Sequence, residues 1–181
     1  MGYSTDFYGQ FNLDKPLTPE HKAYLEAFNG SRRMQRNSWK TAKMPDPLRE
    51  AVELPVGTDG GYFVGAVLLD GQTDGASSWA NCSGQAHTPD ILDYNRAPKG
   101  QPGLWCQWTP NEDGTAIEWD GGEKFYEYVD WIEYLIENFL APWGYVLNGE
   151  VNWEGEDSDD LGLIVIENNE VSTKTGRIVY E

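Results

Sequence analysis

The sequence predicts an α+β fold in which a mostly antiparallel sheet carries two helices. Several segments alternate apolar and polar residues with period two, as half-buried strands do. The turn signals Asp113-Gly114 and Asn168-Asn169 separate neighbouring strands, and tight turns of this kind join antiparallel pairs. Two other segments repeat apolar residues at helical spacing. The expected order is β-α-loop-β-loop-β-β-α-β-β-β, in a single domain over residues 1–181.

The first strand and the first helix are marked by local signals. Residues 3–13 alternate, which predicts a half-buried strand. The residues on its apolar face would be Tyr3, Thr5, Phe7, Gly9, Phe11 and Leu13. Thr18 then precedes Pro19, which is typical of a helix N-cap followed by proline at the first helical position. The helix is expected to end at Asn29-Gly30.

The middle of the chain predicts little regular structure. Residues 31–60 are basic and contain three prolines, which predicts an irregular segment. Residues 62–69 are apolar and predict a strand. Residues 70–102 are rich in Gly, Asp, Ser and Pro. A loop of this length is uncommon in a compact domain, so it indicates either a functional loop or a disordered insert.

The following segment predicts a hairpin and a long helix. Residues 104–108 and 115–119 are the expected strands of the hairpin, on either side of Asp113-Gly114. Asp120-Gly121-Gly122-Glu123 resembles a capping box, with Asp in place of Ser or Thr. The helix is therefore expected over residues 123–140, before Pro142.

Three strands are expected to complete the fold, over residues 145–154, 161–167 and 170–180. Asn168-Asn169 lies between the last two. Asn tolerates a positive φ, which suits a two-residue turn.

Composition limits the class of protein. Apolar residues make up 39% of the 181 residues, which is enough to build a core. No apolar run reaches the roughly 18 residues that span a bilayer, and the first residues do not resemble a signal peptide. We therefore expect a cytoplasmic protein. Its two cysteines, Cys82 and Cys106, are too few for a disulfide framework or a four-thiolate zinc site.

The net charge of −17 is distributed unevenly. Residues 1–110 carry 12 acids and 10 bases, a net −2, whereas residues 111–181 carry 18 acids and 3 bases, a net −15. A surface this acidic repels phosphate backbones and anionic lipids, so neither a nucleic acid nor a membrane is expected as a direct partner. Residues 32–49 form a basic island of net +5. The island either complements the acidic half within one fold or is a secondary basic contact through Arg32, Arg33 and Arg36.

The predicted helix over residues 123–140 carries carboxylates along one side and no Lys or Arg among them. The stripe consists of Glu123, Glu127, Asp130, Glu133 and Glu137. Surface helices usually interleave opposite charges, because like pairs at this spacing cost about 0.2–0.5 kcal/mol each. The next strand and loop add Glu154, Glu156, Asp157, Asp159 and Asp160.

The spacing of these carboxylates suggests nucleic-acid mimicry. Acids three or four residues apart on a helix are separated by about 5–6 Å along its axis. Successive phosphates of a nucleic-acid strand have a similar spacing. The ten acids are therefore candidate contacts for the basic surface of a nucleic-acid-binding protein. The alternative is a solvated face that keeps the protein soluble.

The sequence gives less support for a catalytic site or a metal site. Cys82, His87 and Asp90 lie close in sequence, but no family signature surrounds them as a nucleophile site. The close-paired spacing of zinc ligands is absent from the four residues considered as a zinc site, which are His21, Cys82, His87 and Cys106. Residues 154–160 lack the ligand order of an EF-hand, and strands rather than helices flank them. We therefore expect no metal and no cofactor.

Paired carboxylates for glycoside hydrolysis remain open among 30 acids, and strand tryptophans would suit sugar stacking. The tryptophans concerned are Trp105, Trp108, Trp119 and Trp153. Tryptophan in a strand more often belongs to the core.

Four stretches resemble a family of small uncharacterised proteins encoded by bacteriophages and their bacterial hosts. These stretches are residues 2–7, 104–108, 123–128 and 143–145, and the resemblance extends over most of the chain. It carries no assigned catalytic residue. It implies a phage accessory protein that acts in the cytoplasm of the host.

These observations lead to one main hypothesis and two alternatives. The main one is a non-enzymatic acidic protein that inhibits or regulates a basic, nucleic-acid-handling host protein, as an anti-defence protein would. One alternative is a small enzyme or ligand-binding domain that uses the 70–102 loop with Cys82, His87 and Cys106. The other is a homo-oligomer in which the arginines at 32, 33 and 36 of one copy meet the acidic helix of the next.

Overall fold

Helices and antiparallel strands together make up the fold, which confirms the predicted α+β class. The computed structural model describes residues 2–65 and 89–181. Contacts divide the chain into two units, whereas the sequence predicted one domain. Unit 1 comprises residues 1–17 and 107–181, and unit 2 comprises residues 18–106. None of the described helices is long and apolar enough to cross a membrane.

The described elements are as follows. The strands are β1 (Thr5–Leu13), β2 (Gln35–Arg36), β3 (Ile91–Asp93), β4 (Trp108–Pro110), β5 (Ala116–Trp119), β6 (Leu147–Gly155), β7 (Leu161–Glu167) and β8 (Glu170–Thr175). The helices are α1 (Pro19–Gly30), α2 (Ser38–Thr41), α3 (Pro47–Ala51) and α4 (Tyr128–Leu135), with a 3₁₀ turn at Thr58–Gly60 and a π-helical turn, Ile136–Leu140, after α4.

Unit 1 is built on a six-stranded sheet with the order β4-β5-β1-β6-β7-β8, in which every pairing is antiparallel. The alternation expected in β1 holds at Thr5, Phe7 and Phe11, which are buried, whereas Gly9 on the same predicted face is exposed. The ring of Phe7 lies between 4.9 and 5.7 Å from four other aromatic rings. They belong to Trp108, Trp119, Phe125 and Tyr128. This cluster forms one end of the core beneath α4.

Two glycines allow β1 and β6 to pair closely. Gly9 and Gly149 have φ values of +108° and +140°, which side chains rarely adopt. A Cβ at Gly9 would lie 2.8 Å from the carbonyl oxygen of Glu150, and one at Gly149 would lie 2.9 Å from that of Gln10. Both positions therefore need glycine for steric and conformational reasons.

The β7–β8 hairpin agrees with its sequence prediction. Asn168 and Asn169 have φ values of +49° and +68°, as the two central residues of a type I′ turn require. The turn places Glu167 opposite Glu170 and Val165 opposite Ser172. Strand β8 ends at Thr175, so the prediction of a strand as far as residue 180 is corrected.

Unit 2 begins with α1, whose predicted signals are confirmed. The Thr18 side chain accepts a hydrogen bond from the His21 N–H, and the helix ends at Gly30. The segment over residues 31–60 is less irregular than expected. It contains the short β2 strand, which pairs with β3, and the short helices α2 and α3, which Asn37 and Asp46 cap. Proline at the first position of α3 begins that helix rather than breaking the chain.

Two further predictions for the chain need correction. Residues 62–65 are not a strand, although Phe63 and Val64 are buried, and residues 66–69 lie outside the described residues. The hairpin before α4 is present, but its first strand starts at Trp108 instead of residue 104. The Asn111 side chain accepts hydrogen bonds from the Thr115 and Ala116 N–H groups and closes the turn between the two strands.

Candidate functional site

Helix α4 presents two of the predicted acids on its exposed face. Asp130 and Glu133 are exposed, whereas Trp131 and Ile132 are completely buried. Glu137 continues the exposed face on the π-helical turn, where the Ala141 N–H donates to the Ile136 carbonyl. The aromatic and aliphatic side of α4 thus holds the acidic side in a fixed position on unit 1.

The other two acids of the predicted stripe precede the helix. The Asp120 side chain accepts a hydrogen bond from the Gly122 N–H, so it forms a turn and does not cap a helix at residue 123. Lys124 and Glu127 have φ values of +59° and +55°, which interrupt helical geometry. Helix α4 therefore begins at Tyr128, and the prediction of one helix over residues 123–140 is corrected. Glu123 and Glu127 are exposed on the segment that leads into it.

Like charges influence each other along this surface. A hydrogen bond with Asp130, followed by desolvation, raises the pKa of Glu127 above its ordinary value. Desolvation, with smaller contributions from the charges of Asp130 and Glu137, raises the pKa of Glu133. Both directions are those expected where desolvation and neighbouring carboxylates disfavour the charged form. We call Glu127, Asp130, Glu133 and Glu137 the α4 acidic surface.

The acidic loop over residues 154–160 has a partly structural role. The Asp160 carboxylate accepts hydrogen bonds from the Tyr3 hydroxyl at 2.7 Å and from the Trp153 indole N–H at 3.0 Å. Glu156 accepts one from the Ser4 N–H at 2.6 Å. Two of the five predicted contact acids therefore fasten the loop to the start of the chain. Glu154, Asp157 and Asp159 are exposed.

The largest difference between prediction and structure concerns the basic contact predicted at Arg32, Arg33 and Arg36. Arg33 is 2% exposed, and its guanidinium donates to the carbonyl oxygens of Gly61 at 2.6 Å and Phe63 at 3.1 Å. Arg36 is 4% exposed and pairs with Asp90 at 2.6 Å. These two guanidinium groups hold unit 2 together and are not exposed for a partner.

Arg32 is only half-buried. It donates to the Tyr94 carbonyl, and its guanidinium lies 4.1 Å from the centre of the Tyr94 ring. The sequence could not reveal these roles, because Asp90 and Tyr94 lie more than fifty residues away along the chain.

The residues considered for catalysis or metal binding are not brought together among the described residues. Cys82 and His87 lie outside the described residues, Cys106 is buried, and Asp90 pairs with Arg36. Within residues 2–65 and 89–181, no group of three or more His, Cys, Asp or Glu side chains is placed to hold a metal ion.

The strand tryptophans do not form an exposed sugar-stacking platform. Trp108 is 1% and Trp153 8% exposed, so both contribute to the core of unit 1. Trp119 in unit 1 and Trp105 in unit 2 are each half-buried.

Two hollows that sequence reasoning missed lie between β8 and the segment formed by α4 and the turn after it. The first hollow, of about 390 Å³, lies between Glu127 and Asp130 on one side and Thr173 and Thr175 on the other. The second hollow, of about 190 Å³, lies between Glu133, Glu137 and Val171. We call these two hollows the α4–β8 groove. The acidic surface forms one wall, and the outermost strand of the sheet forms the other.

Comparison with protein-family models, with curated proteins and with solved structures found no match for this chain.

Proposed function

We propose that the protein is a non-enzymatic acidic binding protein that occupies the basic surface of a nucleic-acid-handling protein of a bacterial host. The observation that carries this proposal is the α4 acidic surface, four exposed carboxylates on a well-packed support. An inhibitor or regulator of phage type is the role that this surface fits best.

The arrangement of charge supports a protein partner. Asp130 and Glu133 lie about 4.5 Å apart along the axis of α4, given a rise of 1.5 Å per residue, and Glu137 follows on the π-helical turn. This spacing is similar to that of phosphates along a nucleic-acid strand. The exposed loop acids Glu154, Asp157 and Asp159 extend the negative surface of unit 1.

The proximity of like charges at Glu127 and Glu133 supports a binding role. A surface that only maintains solubility gains nothing from holding carboxylates close together, whereas a partner with lysines and arginines relieves their repulsion on binding. Binding should therefore weaken steeply as salt concentration rises.

The test is affinity capture from a bacterial lysate with the tagged chain, followed by quantitative mass spectrometry. The binding variant carries Asp130→Asn, Glu133→Gln and Glu137→Gln. The matched control removes three exposed carboxylates elsewhere on unit 1, through Glu112→Gln, Glu150→Gln and Glu167→Gln. Both variants change the net charge equally, so general charge effects cancel.

We expect the wild type and the control to capture a basic nucleic-acid-binding protein at about 0.1 M salt. The binding variant should capture far less, and about 0.5 M salt should release the partner from all three proteins. Equal capture by the two variants would contradict the role of the α4 acidic surface.

A further inference from the structure

Strand β8 is an open edge of the sheet in unit 1. It lies at the end of the strand order, pairs with β7 along one side, and five of its six residues are exposed. Its pairing follows the two-residue turn, so that Glu170, Ser172 and Lys174 face β7 with their backbone groups. The Gly176 N–H, which donates to the Leu161 carbonyl, continues this pattern.

The alternate residues of β8 direct their backbone away from the sheet. In an antiparallel ladder, the residues between hydrogen-bonded pairs point their N–H and C=O groups outward. Those residues are Val171, Thr173 and Thr175. They also line the α4–β8 groove. The edge thus offers three donors and three acceptors beside a hollow that has an acidic wall.

Features that normally protect an edge are few in β8. It has six residues, no proline and no shift of register against β7. Its charged side chains, Glu170 at the start and Lys174 near the end, alternate with Val171, Thr173 and Thr175, so they lie on the face opposite the groove. Pairing with β8 of a second copy would bring two α4 acidic surfaces together, which their like charges oppose. A positively charged strand is favoured by the same charges.

We propose that β8 accepts an extended lysine- or arginine-containing segment of the partner as a seventh strand of this sheet. Its backbone bonds to Val171, Thr173 and Thr175, and its basic side chains enter the groove opposite Asp130 and Glu133. Strand addition of this kind takes its affinity from main-chain hydrogen bonds and its specificity from alternate side chains. The inference rests on the proposed function and names the segment that the acidic surface recognises.

The test uses a fluorescent nine-residue peptide that alternates lysine and threonine, titrated with the full chain at about 50 mM salt. Antiparallel addition places the lysine side chains in the groove and their backbone N–H groups toward β8. Methylating those backbone nitrogens should weaken binding at least about tenfold, since each lost hydrogen bond is worth roughly a factor of ten. Methylating the threonine nitrogens should leave binding within about twofold.

Two variants of the protein test the same edge by changing β8 instead of the peptide. Thr173→Pro removes one outward N–H but no hydrogen bond to β7, and Thr173→Val keeps that N–H. The proline variant should weaken peptide binding at least about fivefold relative to the valine variant. Circular dichroism establishes that both are folded, and the methylated peptides test the proposal without altering the chain.

The outcomes separate this inference from the proposed function. If both methylated peptides bind equally, or if the alternating peptide does not bind, strand addition at β8 is wrong, while the acidic surface can still bind a folded basic partner. If the two methylated peptides differ in affinity, but the variant with Asp130→Asn, Glu133→Gln and Glu137→Gln binds the unmodified peptide as tightly as the wild type, the acidic wall plays no part in binding. That result would overturn recognition of a basic segment and the proposed function with it.

Discussion

Unit 2 and unit 1 use charge in opposite ways. The four ion pairs between described residues all lie in unit 2, and two of them, Arg36–Asp90 and Arg49–Asp46, are buried. In unit 1 the α4 acidic surface is exposed and its carboxylates are adjacent to one another. Unit 2 therefore pairs and buries opposite charges within its own fold, whereas unit 1 exposes like charges side by side.

The largest effect should come from breaking the buried pair in unit 2. Asp90→Ala removes the carboxylate that pairs with the buried guanidinium of Arg36 at 2.6 Å, so the free energy of unfolding should fall by about 3–5 kcal/mol. Urea denaturation followed by circular dichroism measures this loss. Asp93→Ala is the control, because the Asp93–Arg96 pair is exposed with a separation of 4.0 Å and should contribute less than about 1 kcal/mol.

A smaller effect is expected within the acidic loop of unit 1. Asp160→Ala removes the acceptor for the Tyr3 hydroxyl and for the indole N–H of the buried Trp153, which should cost about 2 kcal/mol of unfolding free energy. Asp159→Ala, at an exposed position of the same loop, should change it by less than about 0.5 kcal/mol. Equal effects would show that Asp160 does not fasten the loop.

Replacing a glutamate by glutamine should change the stability of the protein in opposite directions in the two units. Glu26→Gln removes an ion pair with Lys22 on α1 and should destabilise the protein by about 0.3–0.5 kcal/mol. Glu133→Gln removes a carboxylate whose charged form is disfavoured by desolvation and by the charges of Asp130 and Glu137, and should stabilise the protein by about 0.2–0.5 kcal/mol. Thermal unfolding at low salt detects both, and a loss of stability in Glu133→Gln would contradict this expectation.

The stabilisation by Glu133→Gln should depend on pH. The native state raises the pKa of Glu133 above its ordinary value of 4.5, so the native state binds a proton more readily than the unfolded state. The penalty of the charged form is present at neutral pH and disappears as pH falls through the raised pKa toward 4.5. The difference in melting temperature between wild type and variant should therefore shrink from pH 7 to pH 4. A constant difference would point to a cause other than charge.

Local signals in the sequence were sufficient for several elements. Thr18 and Pro19 mark the start of α1, and Asn168-Asn169 marks the β7–β8 turn, because caps and turns depend on residues close in sequence. The start of α4 could not be predicted in the same way. The positive φ values at Lys124 and Glu127 interrupt a pattern that, as sequence, continues as a helix.

Features that depend on distant residues were not accessible from sequence. Arg33 and Arg36 looked like part of a basic surface, but their partners include Gly61 and Asp90, which only the folded chain brings near. The α4–β8 groove joins segments about forty residues apart, so periodicity in either segment could not reveal it. The acidic residues of α4 were predicted as exposed because amphipathic periodicity reports which side of a helix is solvated.

We propose that the acidic surface replaces a nucleic acid on its partner. The most direct measurement is competition, in which the captured partner binds a fluorescent DNA or RNA duplex and the chain is then titrated at about 0.1 M salt. The wild type should displace the duplex, and the variant with Asp130→Asn, Glu133→Gln and Glu137→Gln should displace it at least about tenfold less effectively. A partner that binds the duplex and the chain simultaneously, with unchanged affinity for each, would contradict nucleic-acid mimicry.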